Sequence, residues 1–313
     1  MTRIAFVYPG QAAQRPDMAR PWRTTAHAAV FEEVGGAAGV DLLTLADDAM
    51  ACGASTALAQ PAIYATALAA HDALIEAGIR PTVLAGHSLG EVTAAAAAGV
   101  LDRRAAAGLV AERGRAMGEA CAAMPGAMAA VVRLDEEQIE RLVRATSDVS
   151  VANTNAPGQT VLSGTPEAID GLASAVRELG GRLLPLQVEG AFHSPAMTPA
   201  MVRLDALLGR VDLGDPAVPV VSGTDGLPKT TAAAIRTSLV DGMLAPVRWV
   251  DVQYALAAMV DAVIEVGPGD ILRGCAKRTI PTVPFFSVST PDDVAAAATE
   301  LHMMQPGLAA ARA

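Results

Sequence analysis

The sequence predicts an α/β protein with a large domain built on a parallel sheet and a small inserted subdomain. Three observations predict this class. The stretch "TVLAGHSLGEVTAA", residues 82–95, places an apolar run, a glycine turn and an Ala-rich segment in succession, the order of a strand that feeds a helix in a parallel sheet. Residues 125–189 alternate as β-α-β-β-α-β. The 313 residues, 52% of them hydrophobic, leave ample core for both units.

The elements before residue 125 follow from local patterns. "RIAFVY", residues 3–8, has strand composition and ends at a Pro-Gly pair. A largely helical region then runs to Gly78, where the chain can turn. "PTVLAG" is a short apolar strand, and the segments on either side of Asp102 carry helix formers, with Asp102 as the N-cap of the second.

The middle of the chain changes character at "AMAAVVRL", which begins at residue 127. Two further strands, "VSVANTN" and "TVLSG", flank a turn, and a final strand "GRLLPLQV" follows a second helix. This order predicts a split βαβ, or ferredoxin-like, subdomain at 125–189. Residues 1–124 and 190–313 then form the large domain, whose later part continues as helix, strand "VPVVSG", two helices and strand "DAVIEVGPG".

Composition and charge exclude several classes of function. The net charge of −10 argues against nucleic acid as a partner, because phosphate binding needs a basic surface. No apolar run approaches the roughly 20 residues of a membrane span, and the N-terminus does not have the pattern of a secretory signal. Cys52, Cys121 and Cys275 are odd in number and lack metal-ligand spacing. We therefore expect no membrane or metal binding and a cytoplasmic location.

Ser88 is the candidate nucleophile. Gly86-His87-Ser88-Leu89-Gly90 fits the G-x-S-x-G pattern between a strand and a helix, where the glycines permit a sharp turn that exposes the hydroxyl. The helix N-terminus beside it offers free N–H groups to an oxyanion. The alternative is a serine that only caps the helix. The strand and helix on either side favour the nucleophile.

A serine nucleophile needs a base, and His193 is the best candidate among the five histidines. It lies in "VEGAFHSPAM", a glycine-containing loop late in the chain. His87 adjoins Ser88 and should project to the other side of the turn, which suits shaping the pocket. No acidic residue stands out as a third member, so a backbone carbonyl is a possible partner of the imidazole.

Arg113 is a candidate binder of a substrate carboxylate. It lies on the second helix after Ser88, in "AERGRAMGEA", and the planar guanidinium binds carboxylates through two hydrogen bonds. Its position beside Glu112 and Arg115 favours an ordinary exposed helical arginine on sequence grounds alone.

Together these stretches resemble the malonyl-CoA:acyl carrier protein transacylases and the acyltransferase domains of polyketide synthases. The resemblance runs nearly end to end. The matching stretches are "YPGQAAQ", "GHSLGE", "ERGRAM", "NTNAPGQTVLSG", "AFHSPAM", "PVRW" and "VIEVGPGDIL". The combination is far more specific than any one motif, and it implies a hydrolase-like large domain with a ferredoxin-like insert.

The resemblance implies a role for each matched residue. Ser88 would accept the acyl group and His193 would act as its base. The backbone N–H groups of Gln11 and Leu89 would form the oxyanion hole, and Arg113 would hold the free carboxylate of a malonyl-type group. In this family a main-chain carbonyl typically orients the imidazole.

Four further positions bear on the cleft. Asn155 and Gln159 match family positions that line its small-subdomain side. Ala12 stands where the family commonly has the second glycine of Gly-Gln-Gly-x-Gln, and Gly242 stands where a glutamine is common, four residues before "PVRW". The missing side chain at Gly242 predicts a wider acyl pocket.

The implied function is ping-pong transfer of a malonyl-type group from coenzyme A to the phosphopantetheine thiol of an acyl carrier protein, in polyketide or fatty-acid synthesis. The expected partners are the carrier protein and the acyl-CoA, with no permanently bound cofactor. One alternative is a carrier-to-carrier acyltransferase for a larger or aminoacyl group, which Gly242 and Ala12 favour. The others are a hydrolase of acyl-carrier thioesters and a carrier-binding module without activity, against which intact Ser88 and His193 argue.

Overall fold

The computed structural model describes residues 2–46, 48, 53 and 55–311. Cys52 lies outside them. The strands are β1 Ile4–Tyr8, β2 Val83–Gly86, β3 Ala127–Val132, β4 Val149–Ala156, β5 Gln159–Gly164, β6 Arg182–Pro185, β7 Val220–Val221, β8 Pro228–Lys229, β9 Ala262–Val266 and β10 Phe285–Val288.

Helices lie between most of these strands. They are α1 Ala28–Ala38, α2 Leu42–Leu45, α3 Thr56–Glu76, α4 Leu89–Ala97, α5 Arg103–Ala123, α6 Glu136–Ala145, α7 Pro166–Glu178, α8 Thr198–Leu208, α9 Ala232–Asp241, α10 Trp249–Met259, α11 Ile271–Thr279 and α12 Pro291–Ala311. Short 3-10 turns lie at Arg20–Trp22 and Pro195–Met197. Within the described ranges, no helix combines the length and apolar character needed to cross a membrane.

The large sheet has the order β10-β9-β1-β2-β7-β8, and all of its pairings are parallel except that of β7 with β8. Its central strand β1 is fully buried and divides its side chains between two cores. Ile4, Phe6 and Tyr8 join the core on the side of α3 and α5, whereas Ala5 and Val7 join the core on the side of α10 and α11. Helices therefore cover both faces, as a buried parallel sheet requires.

A separate antiparallel sheet has the order β4-β5-β3-β6. One face packs on α6 and α7 through a core that includes Leu142, Leu162 and Leu172. On the opposite face, Met128 and Ala130 pack into the core of the large sheet. The predicted fold class is confirmed: the protein combines a mostly parallel sheet with a separate βαββαβ sheet. The limits of the insert at 125–189 stay a prediction.

Local signals explain where several helices begin. Asp102 accepts hydrogen bonds from the N–H groups of Arg104 and Ala105 at the start of α5, as its N-cap position predicts. Asp135 and Gln138 form a reciprocal capping box at the start of α6. Two strands of the large sheet differ from the prediction. The predicted strand "VPVVSG" contributes only the two residues of β7, and the sequence analysis does not predict the edge strand β10.

Candidate active site

Ser88 lies at the turn between β2 and α4, in a backbone conformation with φ 53° and ψ −107°. A positive φ is costly for a residue with a side chain and is typical of functional turns. The turn depends on its glycines: a Cβ on Gly86 would lie 1.9 Å from the carbonyl carbon of Gly90, and one on Gly90 would lie 2.0 Å from the carbonyl oxygen of Tyr8. The Ser88 side chain makes no capping hydrogen bond to α4, so the helix-cap interpretation does not describe it.

His193 lies beside Ser88. Its Nε2 is 2.9 Å from Ser88 Oγ, and its Nδ1 is 3.1 Å from the carbonyl oxygen of Ala245. A carbonyl oxygen can only accept, so Nδ1 carries the proton and Nε2 is left to accept the hydrogen bond from the serine hydroxyl. This is the geometry that general-base activation of a serine requires.

The surroundings of His193 keep its imidazole neutral. The side chain is buried, and burial together with the positive charge of Arg113 and the neighbouring His87 lowers its pKa from 6.5 to about 3. A base with this pKa is unprotonated at neutral pH and ready to accept a proton.

Arg113 is buried, contrary to the exposed position that its sequence neighbours favour. Only 4% of the residue is exposed, its Nη1 donates to Gln60 Oε1 at 2.7 Å, and its Nη2 donates to Ser88 Oγ at 3.2 Å. Helix α5 packs so closely on α3 that a Cβ on Gly114 would lie 2.9 Å from Ala57 Cα, and the Gln60 partner of Arg113 lies on the same facing helix. Burial lowers the pKa of Arg113 to about 10, so the guanidinium is still charged at neutral pH.

The predicted oxyanion donors lie on two segments that meet at the turn. Leu89 is the first residue of α4, so its N–H has no acceptor within the helix. Gln11 follows Gly10, at which a Cβ would lie 2.5 Å from the carbonyl oxygen of His87. The Gln11 side chain is held by Thr56 Oγ1, which donates to its Oε1 at 2.6 Å.

Ala12 adopts a left-handed backbone conformation with φ 74°. Glycine occupies this region without a steric penalty, whereas an L-residue pays about 1–2 kcal/mol. The loop that carries Gln11 therefore keeps the shape that a glycine would favour, at the cost of local strain.

A cleft of about 250 Å³ opens from Ser88 between the two sheets, and Asn155 and Gln159 line it. Asn155 Oδ1 accepts from His87 Nε2 at 2.9 Å, and the His87 ring stacks edge-on against Trp249. His87 thus points away from the serine hydroxyl, as its place in the turn predicts, and burial lowers its pKa. Gln159 Oε1 accepts from Arg278 Nη1 at 2.8 Å.

A second, much smaller cavity of about 10 Å³ is lined by Ser88, Glu91, Arg113, His193 and Gly242. It has room for about one water molecule. Leu239, Pro246 and Val247 also form its walls, and the wider acyl pocket expected from the missing side chain at Gly242 stays a prediction. Gly242 ends α9 in a right-handed conformation.

Three components of the site were missed by sequence reasoning. Gln60 is fully buried and joins Arg113 to Gln11, to which its Nε2 donates at 3.3 Å. Glu91 is also buried, and the carbonyl of Ala245 orients His193. A polar residue inside an otherwise apolar helix was the available signal for Gln60 and Glu91, while nothing in the sequence marks a particular carbonyl. Within the described part of the chain, no group of three or more His, Cys, Asp or Glu side chains is placed to hold a metal ion.

Comparisons with known proteins agree with this geometry. A family model described as an acyl transferase domain matches residues 5–289. The malonyl CoA-acyl carrier protein transacylase of Bacillus subtilis is 35% identical, over 94% of this chain and 96% of its own length. That of Mycobacterium tuberculosis is 37% identical, over 93% and 98%.

Solved structures give the same result. A malonyl-transacylase, solved in complex with its type II PKS acyl-carrier protein, superposes with a TM-score of 0.90 at 34% identity, over 96% of this chain and 100% of its own. The malonyl CoA-acyl carrier protein transacylase of Coxiella burnetii superposes with a TM-score of 0.89 at 30% identity, over 95% and 97%. The chain therefore belongs to the acyl transferase domain family and is an acyltransferase.

Proposed function

We propose that this protein transfers a malonyl group from coenzyme A to the phosphopantetheine thiol of an acyl carrier protein through an acyl-Ser88 intermediate. The observation that carries the proposal is the position of Ser88 Oγ, which lies 2.9 Å from the Nε2 of a buried neutral histidine and 3.2 Å from the Nη2 of a buried arginine. A base and a carboxylate-binding cation thus flank one hydroxyl. The named activity of the relatives supports the same substrate and acceptor.

The first half-reaction acylates the serine. Nε2 of His193 takes the hydroxyl proton as Ser88 Oγ attacks the thioester carbonyl, and a tetrahedral anion forms. Collapse of the anion breaks the carbon–sulfur bond, and the imidazolium returns the proton to the departing thiolate of coenzyme A. The products are the malonyl ester of Ser88 and free coenzyme A.

The second half-reaction repeats these steps with the carrier's thiol as nucleophile. His193 takes the thiol proton, the sulfur attacks the ester carbonyl, and the proton goes to Ser88 Oγ as the ester bond breaks. In both halves the N–H groups of Gln11 and Leu89 stabilise the tetrahedral anion. Donors of this kind contribute about 3 kcal/mol each in comparable acyl transfers.

Arg113 selects acyl groups that carry a carboxylate. Its guanidinium is enclosed with Ser88 in the small cavity, so an acyl group on Oγ extends directly towards it. Hydrogen bonds between this cation and the malonyl carboxylate are strong, because both groups are charged and the site is buried. An acetyl group offers no such partner.

The cleft lined by Asn155 and Gln159 is the proposed path of the pantetheine arm. At its rim, α11 presents Arg273 and Lys277, both exposed, and within the part of the chain that the structure describes neither forms an ion pair. Such side chains suit an acidic carrier protein despite the net charge of −10. On the insert, by contrast, Arg141 and Arg144 are paired with glutamates of their own helix.

The buried charge of Arg113 beside Ser88 favours malonyl over the aminoacyl groups of the alternative carrier-to-carrier activity, because an aminoacyl group carries an ammonium and no free carboxylate. We also propose that the insert extends over residues 125–189 and that the protein acts in the cytoplasm, where the phosphopantetheine and cysteine thiols stay reduced.

Intact-protein mass spectrometry tests this function. The protein is incubated with malonyl-CoA, acetyl-CoA or a larger acyl-CoA, and the mass added is measured before and after addition of a phosphopantetheinylated carrier protein. A malonyl adduct that is absent from Ser88→Ala and moves to the carrier is expected. An adduct only from a larger donor, or free malonate without any adduct or transfer, would contradict the proposal, and the latter would indicate a hydrolase.

A further inference from the structure

Glu91 is a buried carboxylate to which the proposed mechanism gives no role. It lies in the first turn of α4, three residues after Ser88, and only 6% of it is exposed. Its side chain forms part of the wall of the small cavity that also encloses Ser88 and Arg113. A buried carboxylate is costly unless it is hydrogen-bonded and balanced by a positive charge.

Among the residues that the structure describes, the hydrogen-bond donors to Glu91 are neutral groups. Its Oε1 accepts from Ser238 Oγ at 2.5 Å, and its Oε2 accepts from the N–H of Gly223 at 3.2 Å. Ser238 Oγ is in turn hydrogen-bonded to Ser222 Oγ. These contacts join α4, the segment after β7 and α9 around the cavity, but they do not neutralise the charge.

The acceptors of the Arg113 side chain, Gln60 Oε1 and Ser88 Oγ, are neutral groups as well. Arg113 and Glu91 are therefore opposite charges on the wall of one enclosed cavity. The carboxylate of Glu91 raises the pKa of Arg113 against the larger, opposite effect of burial. Burial raises the pKa of Glu91 itself, and the hydrogen bonds from Ser238 and Gly223 act against that rise.

We propose that Glu91 is a positioning residue that acts as the counter-charge of Arg113 in the unacylated enzyme, and that the carboxylate of the acyl group takes over this partnership when it enters the cavity. This inference rests on the proposed function of Ser88 and Arg113. An entering carboxylate meets the attraction of Arg113 and the repulsion of Glu91 together. Glu91 therefore weakens the binding of anionic acyl groups while it stabilises the empty site.

The substitution Glu91→Gln isolates the charge. The amide keeps the size of the side chain, its oxygen can accept from Gly223, and its NH₂ can donate to Ser238, which then donates to Ser222. The matched control is Ser238→Ala, which removes a hydrogen bond of Glu91 and keeps its charge. Rates of Ser88 acylation by malonyl-CoA and acetyl-CoA are compared at neutral pH, along with the melting temperature with and without free malonate.

We expect Glu91→Gln to raise the ratio of kcat/KM for malonyl-CoA over acetyl-CoA by about tenfold, because a buried like charge is removed. It should also lower the melting temperature of the unacylated protein and increase the stabilisation by malonate. Ser238→Ala should leave the malonyl-to-acetyl ratio within about twofold of the wild type. An unchanged or lower ratio in Glu91→Gln would overturn the proposal, because a purely structural role impairs both donors alike.

A second comparison tests the proposal even if the Glu91→Gln variant does not fold. The double variant Glu91→Gln/Arg113→Gln removes both charges, so it should fold and lose less stability than the two single substitutions summed. Additive losses, or failure of the double variant to fold, would contradict the inference. Absence of any acyl adduct in the wild type would count against the proposed function, whereas the malonate and double-variant measurements still test Glu91 by themselves.

Discussion

Protonation of His193 depends on the side chains packed around it. Burial is the largest cause of its lowered pKa, followed by the positive charge of Arg113 and by His87. The same arginine that suits a substrate carboxylate thus also keeps the base unprotonated. Ala245 completes the arrangement, because its carbonyl fixes the proton on Nδ1.

This dependence predicts an unusual pH profile. With a pKa of about 3, the rate of Ser88 acylation by acetyl-CoA should show no inflection at 6.5 between pH 8 and pH 5. Arg113→Gln removes a cause of the lowering, so the pKa of His193 rises and the acid limb moves to higher pH. An inflection near pH 6.5 in the wild type would show that the imidazole is not held in this environment.

The same shift affects stability. Because the pKa of His193 is lower in the folded protein than in the unfolded chain, the unfolded chain binds this proton first as the pH falls. The stability associated with the neutral imidazole is therefore present above pH 6.5 and decreases as the pH falls towards about 3.

Arg113 gives a second prediction at the residue scale. Arg113→Ala should lower kcat/KM for malonyl-CoA by about a hundredfold, since a charged hydrogen-bonded pair in a buried site is worth roughly 3 kcal/mol. The kcat/KM for acetyl-CoA should change much less. Steady-state transfer to a carrier protein measures both. Equal losses with the two donors would show that Arg113 does not bind the carboxylate.

At the scale of elements, the turn between β2 and α4 depends on the close approach of three backbone segments. Gly90 packs against the end of β1, and a Cβ at this position would lie only 2.0 Å from the carbonyl oxygen of Tyr8. No side-chain rearrangement relieves a contact with backbone. The position of Ser88 is therefore coupled to the register of β1 and β2, in which Tyr8 pairs with Gly86.

Gly90→Ala should destabilise the protein by about 3 kcal/mol or more and abolish acylation of Ser88. Gly108→Ala is the matched control, because its Cβ would meet nothing within 4 Å in the interior of α5. It should stabilise the helix by up to about 1 kcal/mol. Urea unfolding followed by circular dichroism measures both, and a stable, active Gly90→Ala variant would contradict the packing described for the turn.

At the scale of the whole molecule, β4 attaches the antiparallel sheet to the large domain. Thr154 N–H donates to the carbonyl of Val247, and Val247 N–H donates to that of Ala152. Arg278 adds a second attachment, with its guanidinium donating to Gln159 Oε1 and to the carbonyl of Pro157 at 2.6 Å. These hydrogen bonds hold Gln159, which lines the cleft, against α11.

Arg278→Ala should loosen the turn between β4 and β5. We expect faster amide hydrogen exchange at residues 156–160 and a loss of about 1–2 kcal/mol in local stability, because two hydrogen bonds from a charged donor are removed. Arg144→Ala is the control: it breaks an exposed pair with Glu140 and should cost under about 0.5 kcal/mol. Equal exchange in both variants would show that Arg278 does not hold the turn.

The sequence by itself determined the helices before residue 262, the βαββαβ order, the nucleophile turn and the candidate base, because the signals for each lie close together in the chain. Caps such as Asp102 and the glycines around Ser88 act within a few residues of their own position. The resemblance extended these local signals to Gln11, Leu89 and Arg113.

Only the tertiary structure decided which of these groups meet and in what environment. The charged neighbours of Arg113 on its own helix favour an exposed side chain. Close packing of α5 on α3 instead buries it beside Ser88. Gln60 and the Ala245 carbonyl enter the site from segments far from Ser88 in the chain. A polar residue in an apolar helix marks Gln60 and Glu91, but no local pattern shows that either belongs to the site. Burial itself, the cause of the shifted pKa values of His193, Arg113 and Glu91, arises only when the two sheets and their helices close around the serine.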